Sequence, residues 1–522
     1  MKKNSITAAD ILNTLPHRMR PEQARDWRAV FHFDIRGKQG GRFTVAIDGG
    51  RCEVKEGLVG EPDCVVQAKD RVFIGIELGE INPQVAFLTR RVKVSNVPAM
   101  LQFGKLFYSY WQWQKMRSGS DVSTEASSGV ARERKGPLSG VRILDFTRLY
   151  PGPLATMMMG ELGAEIIKIE DPTSPDPMRF YPPHLEDQSA GFLAVNRFKY
   201  SLALNYRHPE GQRVFLELVA RSDAVIESFR PGIMDEMGIG YRNAREVNPG
   251  IIYISVTGYG QNGPLANQAS HDLNYLALSG ILSMTGTPER PVIPGIQLAD
   301  IAGGAYMAFI ATLIALWQRE RTGQGQHLDV SMLDGTFPLM TLQWAHFHAM
   351  GQTPPRGEGI LSGGMAAYNV YRCADGKFVA LAAIEPKFWE TFCEQVGHPE
   401  WKDSYFTIGE AQHELIQQVA DVFARHSSDY WLKLAETHDI CLTPVLDMEE
   451  VPVHLHIRQR RIFHPGDALP HIRVPLNVSE ANDPGDWPAP RLGQHSIQVL
   501  KNAGFSQEAI ERLVQNQIIL QE

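Results

Sequence analysis

One segment of the chain, residues 270–304, combines an imidazole and a carboxylate that suit acid–base chemistry. The imidazole belongs to a polar run that reads Ser270, His271, Asp272, Leu273, Asn274 and Tyr275. The carboxylate is Asp300, shortly before Gly303 and Gly304. A histidine titrates near neutral pH unaided, whereas a carboxylate needs burial or a neighbouring charge to hold a proton there. Without further context, a structural histidine and a helix-capping carboxylate fit these residues as well.

The surroundings of these residues predict a loop and a helix. Gly258 to Pro264 is rich in Gly, Pro and Asn, which is typical of a surface turn. Asp300 stands just before the apolar stretch 305–317, which a basic turn and Gly323 end, so we expect it at a helix N-terminus. This stretch is shorter than the roughly 20 residues that span a bilayer. We therefore predict a buried helix and no stable membrane insertion.

The region from about residue 136 to residue 504 resembles the family III CoA-transferases. Within that superfamily, the run from His271 to Tyr275 is similar to the signature of the α-methylacyl-CoA racemases. The resemblance implies that His271 and Asp300 are the two acid/base groups, and that Glu385, before Pro386, hydrogen-bonds the histidine. It also implies a Rossmann-like large domain, a smaller α/β domain and an interlocked homodimer. No metal or cofactor beyond the CoA moiety of the substrate is expected.

The same resemblance implies which stretches contact CoA. These are the polar run at 270–275 and two earlier stretches, which contribute Leu204, Arg207, Ser228, Phe229 and Arg230. An arginine such as Arg230 can pair with a phosphate through two hydrogen bonds.

Two acidic residues depart from the family pattern. Asp171 and Glu236 stand where members that bind CoA phosphates often carry Arg. We therefore expect the phosphates to be held differently here, through Lys168 or Lys199.

Length and composition exclude several classes of protein. A chain of 522 residues is too long for one core and predicts two to four domains. The formal net charge of −8 disfavours nucleic acid as a partner. Five scattered cysteines without a paired spacing and an N-terminus without a signal-peptide pattern predict a reducing, cytoplasmic location.

Residues 1–115 predict a separate domain. Alternating strands at 29–35 and 42–48, joined by Gly37 to Gly41, predict a hairpin. Short sequence segments such as Phe33 to Gly37 and Arg91 to Ser95 resemble the sterol carrier protein 2 family. In that family, helices and an antiparallel sheet surround a tunnel for lipid or fatty acyl-CoA. Apolar residues alone fit an ordinary core equally well. Residues 116–135 are rich in Ser, Gly and charge and predict a flexible linker.

Three further parts are predicted. In 136–350, strands alternate with helices, as in an open parallel sheet, and the glycines do not spell the dinucleotide-binding motif. In 351–450, strands at 367–373 and 377–383 predict a hairpin closed by Asp375 and Gly376. Residues 451–522 are expected to return to the large domain. The fold class is therefore α/β, preceded by an α+β domain.

The resemblance to the racemases implies an enzyme that inverts the α-carbon of 2-methylacyl-CoA thioesters, with a branched fatty acyl or sterol side chain. Backbone N–H groups near a turn at Gly303 and Gly304 are the expected donors to the enolate oxygen. A CoA-transferase that uses Asp300 as a nucleophile is the alternative, and it does not need His271. An acyl-CoA carrier without catalysis is a third possibility, which the intact His271, Asp300 and Glu385 disfavour.

Overall fold

The computed structural model describes residues 6–19, 27–78, 86, 91–96, 99–100, 103, 106–108, 110, 113, 136–185, 187–353, 355–407, 409–464, 469–476 and 487–522. The predicted linker 116–135 lies outside these residues, as does most of a helix that the sequence predicts at 82–88. The chain divides into two compact units, Met1–Arg134 with Ser174–Arg197, and Lys135–Thr173 with Phe198–Glu522.

The first unit contains a mixed five-stranded sheet, which confirms the predicted hairpin. Its strands are β1 (Arg28–Arg36), β2 (Gly41–Asp48), β3 (Arg51–Glu56), β4 (Cys64–Lys69) and β5 (Val92–Val94), in the order β3-β2-β1-β4-β5. β1 and β2 are antiparallel, whereas β1 and β4 are parallel. The same unit contains the helices α1 (Ala8–Leu12), α2 (Leu15–Arg18) and α3 (Asp70–Glu77). Apolar side chains of alternate strand residues, including Phe31 and Phe33, form its core.

The second unit is built on the predicted parallel sheet. Its strands β6 (Arg142–Phe146), β7 (Glu165–Glu170), β10 (Lys199–Leu204), β11 (Ala224–Glu227), β12 (Ile252–Thr257) and β15 (Gln326–Ser331) are parallel, and β21 (Ile519–Leu520) is antiparallel to β10. The order is β15-β12-β11-β6-β7-β10-β21. From β6 the chain continues to β7 and β10 on one side of β6, and it then crosses to β11 on the other side. This reversal creates a crevice at the carboxyl ends of β6 and β11, the usual ligand position in such sheets.

Helices connect and cover these strands. They are α4 (Pro151–Glu161), α6 (Pro209–Val219), α7 (Ile233–Glu236), α8 (Tyr241–Val247), α9 (Asp272–Leu278), α10 (Ile281–Met284), α11 (Met307–Thr322) and α12 (Thr341–Met350). The second unit also contains the short strands β13 (Gly286–Thr287) and β14 (Arg290–Pro291). The segment Ser174–Arg197, which belongs to the first unit, contains the strands β8 (His184–Leu185) and β9 (Gln188–Ser189) and the helix α5 (Ala190–Val195). Apolar side chains pack on both faces of the sheet.

The predicted helix at 305–317 is longer and less buried than expected. A π-helical segment, Ala299–Tyr306, runs directly into α11. Ala305, Ala308 and Ala315 pack against the sheet, whereas Ile314 and Trp317 are 57% and 64% exposed. The prediction of a buried helix is therefore wrong for its outer face. The 24 residues of Ala299–Thr322 are also long and apolar enough to cross a membrane, a property that core helices of soluble proteins share.

Residues 366–445 form a small α/β module with its own core. The hairpin of β16 (Tyr368–Arg372) and β17 (Phe378–Ala382) is confirmed, and β18 (Leu442–Pro444) extends it. Its helices are α13 (Pro386–Gln395), α14 (Glu410–Phe423) and α15 (Ser428–Thr437). Trp389, Phe392 and Phe423 fill the core.

The C-terminal region returns to the large sheet. It contains α16 (Leu455–Gln459), β19 (Phe463–His464), β20 (His471–Ile472), α17 (Ser496–Asn502) and α18 (Gln507–Gln515), and it ends in β21. Leu520 pairs with Ala203, and Ile519 pairs with Leu204, at the edge of the sheet.

Candidate active site

Asp272 joins the two segments that carry the predicted acid/base residues. His271 is the N-cap residue of α9, and its backbone N–H donates to Asn274 Oδ1 at 3.0 Å. Asp272 follows in the first turn. Its Oδ1 accepts from the backbone N–H of Ala299 at 2.7 Å and of Asp300 at 3.0 Å. A carboxylate at a helix N-terminus satisfies N–H groups that have no partner within the helix. Asp272 thus ties the start of the second helix to the His271 segment.

The surroundings of Asp300 suit a carboxyl group that must hold a proton. Its side chain is partly buried, and burial together with the nearby Asp272 charge raises its pKa from 3.8 to about 7. Asp300 also lies in the π-helical segment, and π-helical turns are frequent at functional sites. The neighbouring His271 is exposed. The sequence prediction that Asp300 lies at a helix N-terminus is confirmed.

Gly303 and Gly304 lie inside the helix and not in a turn, so the expected enolate-binding turn is wrong. A Cβ on Gly303 would come within 2.2 Å of the Met332 carbonyl oxygen, and one on Gly304 within 2.7 Å of Pro151 Cβ. Both residues follow the first turn, in which Ala299 and Asp300 donate to Asp272 Oδ1 and Ile301 donates to the Gln297 carbonyl. These glycines therefore permit close packing of the helix rather than supplying donors.

Ser270 and Tyr275 anchor the polar run. Their hydroxyl oxygens are 2.8 Å apart, and the Tyr275 ring is buried beneath the helix. Burial is the main reason why the pKa of Tyr275 rises to about 12, so its phenol stays protonated. A Cβ on Gly258 would lie 2.4 Å from the Tyr275 hydroxyl oxygen, so the glycine makes room for this pair. Leu273 instead points outward, with 41% exposure.

Lys168 and Lys199 are wholly buried, so the prediction that they hold CoA phosphates is wrong. Lys199 Nζ pairs with Asp145 Oδ2 at 3.0 Å and donates to the Pro153 carbonyl at 2.9 Å. Lys168 Nζ donates to the Thr147 carbonyl at 2.9 Å. A buried ammonium group requires such partners, because desolvation is costly. Both lysines consequently fasten the loop between β6 and α4.

Tyr150, in that same loop, is a site residue that sequence reasoning missed. It is the N-cap residue of α4, directly before Pro151, which packs against Gly304. Burial raises the pKa of Tyr150, and the charge of Asp300 raises it further, which places the phenol near that carboxylate. Its position just after a strand of a parallel sheet was the available signal.

The crevice between β6 and β11 brings together predicted CoA contacts. Ser228 Oγ accepts from the Arg148 backbone N–H at 2.9 Å, which bridges the two strand ends. The Arg148 guanidinium lies 5.0 Å from the Phe229 ring centroid, and Arg230 beside it is exposed. Arg148, which also contacts Tyr206, was not predicted. The end of β6 therefore contributes a second arginine to this crevice.

The remaining predicted CoA contacts lie at the ends of β7 and β10. Leu204 is fully buried in the core, its carbonyl accepts from the Tyr206 backbone N–H at 2.9 Å, and it is not accessible to a ligand in this structure. Arg207 is 56% exposed, and its Nε pairs with the buried Asp171 at 3.0 Å. Asp171 thus orients Arg207 at this edge of the sheet. Glu236, the other acidic residue that departs from the family pattern, is exposed on α7.

Glu385 does not meet His271 within one chain. It is the exposed N-cap residue of α13 in the small module. Burial is the main reason why the pKa values of Tyr405 and Cys441 in the same module are raised, and the charge of Glu385 raises them further. Across the described ranges, no hydrogen bond or ion pair joins Glu385 to His271 or Asp300.

Comparisons with known proteins agree with this architecture. The sequence profile of CoA-transferase family III matches residues 138–496, and that of the SCP-2 sterol transfer family matches residues 12–107. The chain is 36% identical over 386 residues to α-methylacyl-CoA racemase of Mus musculus, covering 73% of this chain and 97% of that protein. It is 34% identical over 406 residues to succinyl-CoA:glutarate CoA-transferase of Mus musculus, covering 74% and 91%.

A solved structure agrees as well. A CAIB/BAIF family protein from Brucella suis superposes with a TM-score of 0.63 at 27% identity, covering 71% of this chain and 100% of that one. The sequence profile, the relatives and the fold therefore lead to one identification. The chain belongs to CoA-transferase family III and carries a sterol carrier protein 2 domain in its N-terminal part.

Proposed function

We propose that the protein inverts the α-carbon of 2-methylacyl-CoA thioesters by a two-base proton transfer. The observation that carries this proposal is the Asp272 link, which holds the Asp300 carboxyl, with its pKa near 7, beside the His271 segment. Groups with pKa values near the working pH transfer protons efficiently in both directions. The similarity to α-methylacyl-CoA racemases supports the same reaction.

In this mechanism each base serves one enantiomer. His271 or ionised Asp300 removes the α-proton, the electron pair moves onto the thioester oxygen, and the protonated form of the other group returns a proton to the opposite face. Because Gly303 and Gly304 are buried in the helix, we assign enolate stabilisation to other donors. The Tyr150 phenol, near Asp300, is our candidate.

We propose that the active enzyme is a homodimer in which Glu385 of one copy meets His271 of the other. Glu385 has no contact with His271 in one chain, yet a carboxylate beside the histidine would orient and charge it. An apolar stripe on the helix from Ala299 to Thr322 is available for such association: Tyr306, Ile310, Leu313, Ile314 and Trp317. Arg319, which pairs with Asp223 at 2.7 Å, fixes this helix to the sheet. A second copy, rather than a lipid bilayer, is therefore the proposed partner.

We propose that the CoA moiety binds in the crevice at the ends of β6 and β11. Arg148 and Arg230 supply positive charge there, and the Phe229 ring offers an apolar face. Arg207 adds positive charge at the neighbouring ends of β7 and β10. Arginines bind phosphate oxygens through paired N–H groups. We propose no cofactor beyond the CoA of the substrate, no nucleic acid partner and a cytoplasmic location. The N-terminal domain points to an apolar acyl group, such as a branched fatty acyl or sterol side chain, bound at that domain.

A CoA-transferase is the second candidate, because transferases are nearly as similar to the chain as racemases are. In that reaction Asp300 attacks the acyl-CoA carbonyl, which forms an acyl-aspartyl anhydride and releases the CoA thiolate. The thiolate then attacks the aspartyl carbonyl, which forms an aspartyl-CoA thioester and releases the first acid, and the second acid takes over CoA by the same two steps in reverse. The test is incubation of a pure enantiomer of a 2-methylacyl-CoA in heavy water. The racemase proposal predicts inversion with α-deuterium incorporation. Transfer of labelled CoA between acids without any α-exchange would contradict the racemase proposal and support the transferase.

A further inference from the structure

A buried carboxyl group directly precedes the residues proposed to contact CoA, and the proposed reaction does not use it. Glu227 is the last residue of β11, and it is 4% exposed. The next three residues, Ser228, Phe229 and Arg230, line the crevice. Within the described part of the chain, no Lys or Arg forms an ion pair with Glu227. Burial of a charge without a counter-ion is costly, so this carboxyl group requires an explanation.

Glu227 holds the turn that carries the crevice residues. Its Oε2 accepts from the Phe229 backbone N–H at 2.7 Å, which folds the chain back just after β11. In the same turn, Ser228 Oγ accepts from the Arg148 backbone N–H at 2.9 Å. The Arg148 guanidinium lies 5.0 Å from the Phe229 ring centroid. Glu227 therefore positions the backbone from which Ser228, Phe229 and Arg230 extend.

Hydrogen bonds connect Glu227 to the protein surface. Glu227, Ser255 on β12 and Asp329 on β15 are register partners and share one face of the sheet. The Ser255 hydroxyl hydrogen-bonds the Glu227 carboxyl group, and Ser255 Oγ lies 2.9 Å from His327 Nε2. His327 is exposed on the edge strand β15, and its ring stacks on Tyr241 at 5.2 Å. The chain from His327 through Ser255 is a route for a proton between solvent and Glu227.

The charges around Glu227 favour its protonated form. Burial raises the pKa of Glu227 from 4.5 to about 7, Asp235 on α7 and Asp329 raise it further, and the bonds from Ser255 and Phe229 oppose the rise. The register partner on β6 is the apolar Phe146. The other titratable or charged side chains on the adjoining elements are Tyr253 on β12, His327 on β15, Tyr241 on α8, and Arg148 and Arg230 on the loops after β6 and β11. Phosphate groups bound in the crevice add negative charge, which favours the protonated form still more.

We propose that Glu227 is a positioning residue of the CoA site, which takes up a proton from solvent through His327 and Ser255 when CoA binds. The inference rests on the proposed function, since it requires CoA in the crevice at the ends of β6 and β11. The protonated carboxyl group still accepts from Phe229 through one oxygen, and its O–H donates to Ser255. The turn is then held without a negative charge beside the CoA phosphates.

The transfer of this proton is balanced. The Ser255 hydroxyl hydrogen passes to the Glu227 carboxylate, the hydrogen on His327 Nε2 passes to Ser255 Oγ, and His327 Nδ1 takes up a proton from water. His327 ends neutral, as its other tautomer. Burial lowers the pKa of His327, so its ring is neutral at pH 7 and suits this exchange of tautomers.

Calorimetry of CoA binding by the full-length protein tests the proton uptake. Titrations at pH 7.5 in two buffers with different ionisation enthalpies give the number of protons taken up per CoA. A rise of about one unit in the pKa of Glu227 neutralises about half of a charge at this pH, so the wild type should take up about half a proton more than Glu227→Gln. Glu165→Gln removes a carboxylate that pairs with Arg142 at the opposite end of the sheet, and it should match the wild type. Equal proton numbers in the wild type and in Glu227→Gln would overturn the proposal.

The CoA affinities separate the hydrogen bond from the charge. Glu227→Gln keeps an acceptor for the Phe229 N–H and a donor to Ser255, so its Kd should equal that of the wild type at pH 6. At pH 8.5 it should bind CoA up to about tenfold more tightly than the wild type, which is then ionised at Glu227. Glu227→Ala loses the acceptor and should bind at least about fivefold more weakly at both pH values. The same pH dependence of Kd in the wild type and in Glu227→Gln would contradict the proposal.

Substitution of Ser255 tests the connection to the surface. Ser255→Ala removes a hydrogen bond that lowers the pKa of Glu227, so the pH at which the CoA affinity falls should move up. Ser222→Ala is the matched control, because it removes a buried hydroxyl that donates to the Leu218 carbonyl before β11. Its profile should equal that of the wild type. An unshifted profile in a folded Ser255→Ala protein would refute the assigned chain.

Failure of this inference differs from failure of the proposed function. A wild type that binds no CoA would refute the crevice assignment and this inference together. A wild type that binds CoA and exchanges the α-proton, with the proton uptake of Glu227→Gln, would refute only the role of Glu227.

Discussion

The Asp272 carboxylate accepts the backbone N–H of Asp300 at 3.0 Å, and this bond connects two helix N-termini. The same Asp272 Oδ1 accepts from the Ala299 backbone N–H at 2.7 Å. The first turn of the helix that carries Asp300 is therefore bonded to the residue that follows His271. Asp272 has two effects on Asp300. It positions the backbone of Asp300, and its negative charge contributes to the raised pKa of the Asp300 carboxyl.

Substitution of Asp272 separates these two effects. Asp272→Asn keeps an oxygen that accepts both N–H groups but removes the charge, so the pKa of Asp300 should fall. For the enantiomer whose α-proton is removed by ionised Asp300, the pH at which the α-exchange rate rises should then move down by up to about one pH unit. Deuterium exchange followed from pH 5 to pH 9 measures this shift. Asp272→Ala, which also loses the cap, should lose stability and rate as well, whereas an unshifted profile in Asp272→Asn would contradict the assignment.

Asp300 should also make the protein less stable at higher pH. Its pKa is raised from 3.8 in the unfolded chain to about 7 in the folded state, so the folded protein binds this proton more tightly. The stabilisation is fully present below about pH 4 and is lost as the pH rises through about 7. Asp300→Asn removes this dependence and should be more stable than the wild type at pH 8, by about 1–3 kcal/mol after allowance for partial exposure. Urea unfolding at pH 8 and pH 4.5 measures the difference, which should be several times smaller at the lower pH.

The two bases should act on different enantiomers. His271→Ala should abolish inversion but leave slow α-exchange with the enantiomer whose proton faces Asp300. Asp300→Ala should show the complementary pattern with the other enantiomer. Chiral analysis of thioesters recovered from heavy water reports both quantities. A transferase would behave differently: His271→Ala would still move labelled CoA between acids, and Asp300→Ala would be inactive.

Mixed dimers should reveal whether Glu385 acts across the interface. His271→Ala and Glu385→Ala subunits are each expected to be nearly inactive alone. After unfolding and refolding together, half of the dimers are mixed, and each mixed dimer contains one intact pair of His271 and Glu385 from different subunits. Activity near one quarter of the wild-type value supports the shared site. No recovery, together with light scattering at 58.3 kDa in place of twice that mass, would contradict it.

Local patterns in the sequence were sufficient for the elements of the fold and for the polar run. Alternating apolar residues predict the hairpin of β1 and β2, and apolar strands between helices predict the parallel sheet, because side-chain periodicity is a local property of the backbone. The run from Ser270 to Tyr275 and the position of Asp300 at a helix start are local in the same way.

Only the tertiary structure decided which charged groups have partners and which remain accessible. Lys168 and Lys199 have the composition of phosphate ligands, yet β7 and β10 bury them against Asp145 and Thr147. Arg148 is unremarkable in the sequence, yet the reversal of strand order at β6 and β11 brings it to Phe229. The environment of a charge depends on which strand ends meet, and residues distant in sequence determine this. For that reason the sequence could predict Asp300 as an acid/base residue, whereas its link to Asp272 and the separation of Glu385 from His271 required the fold.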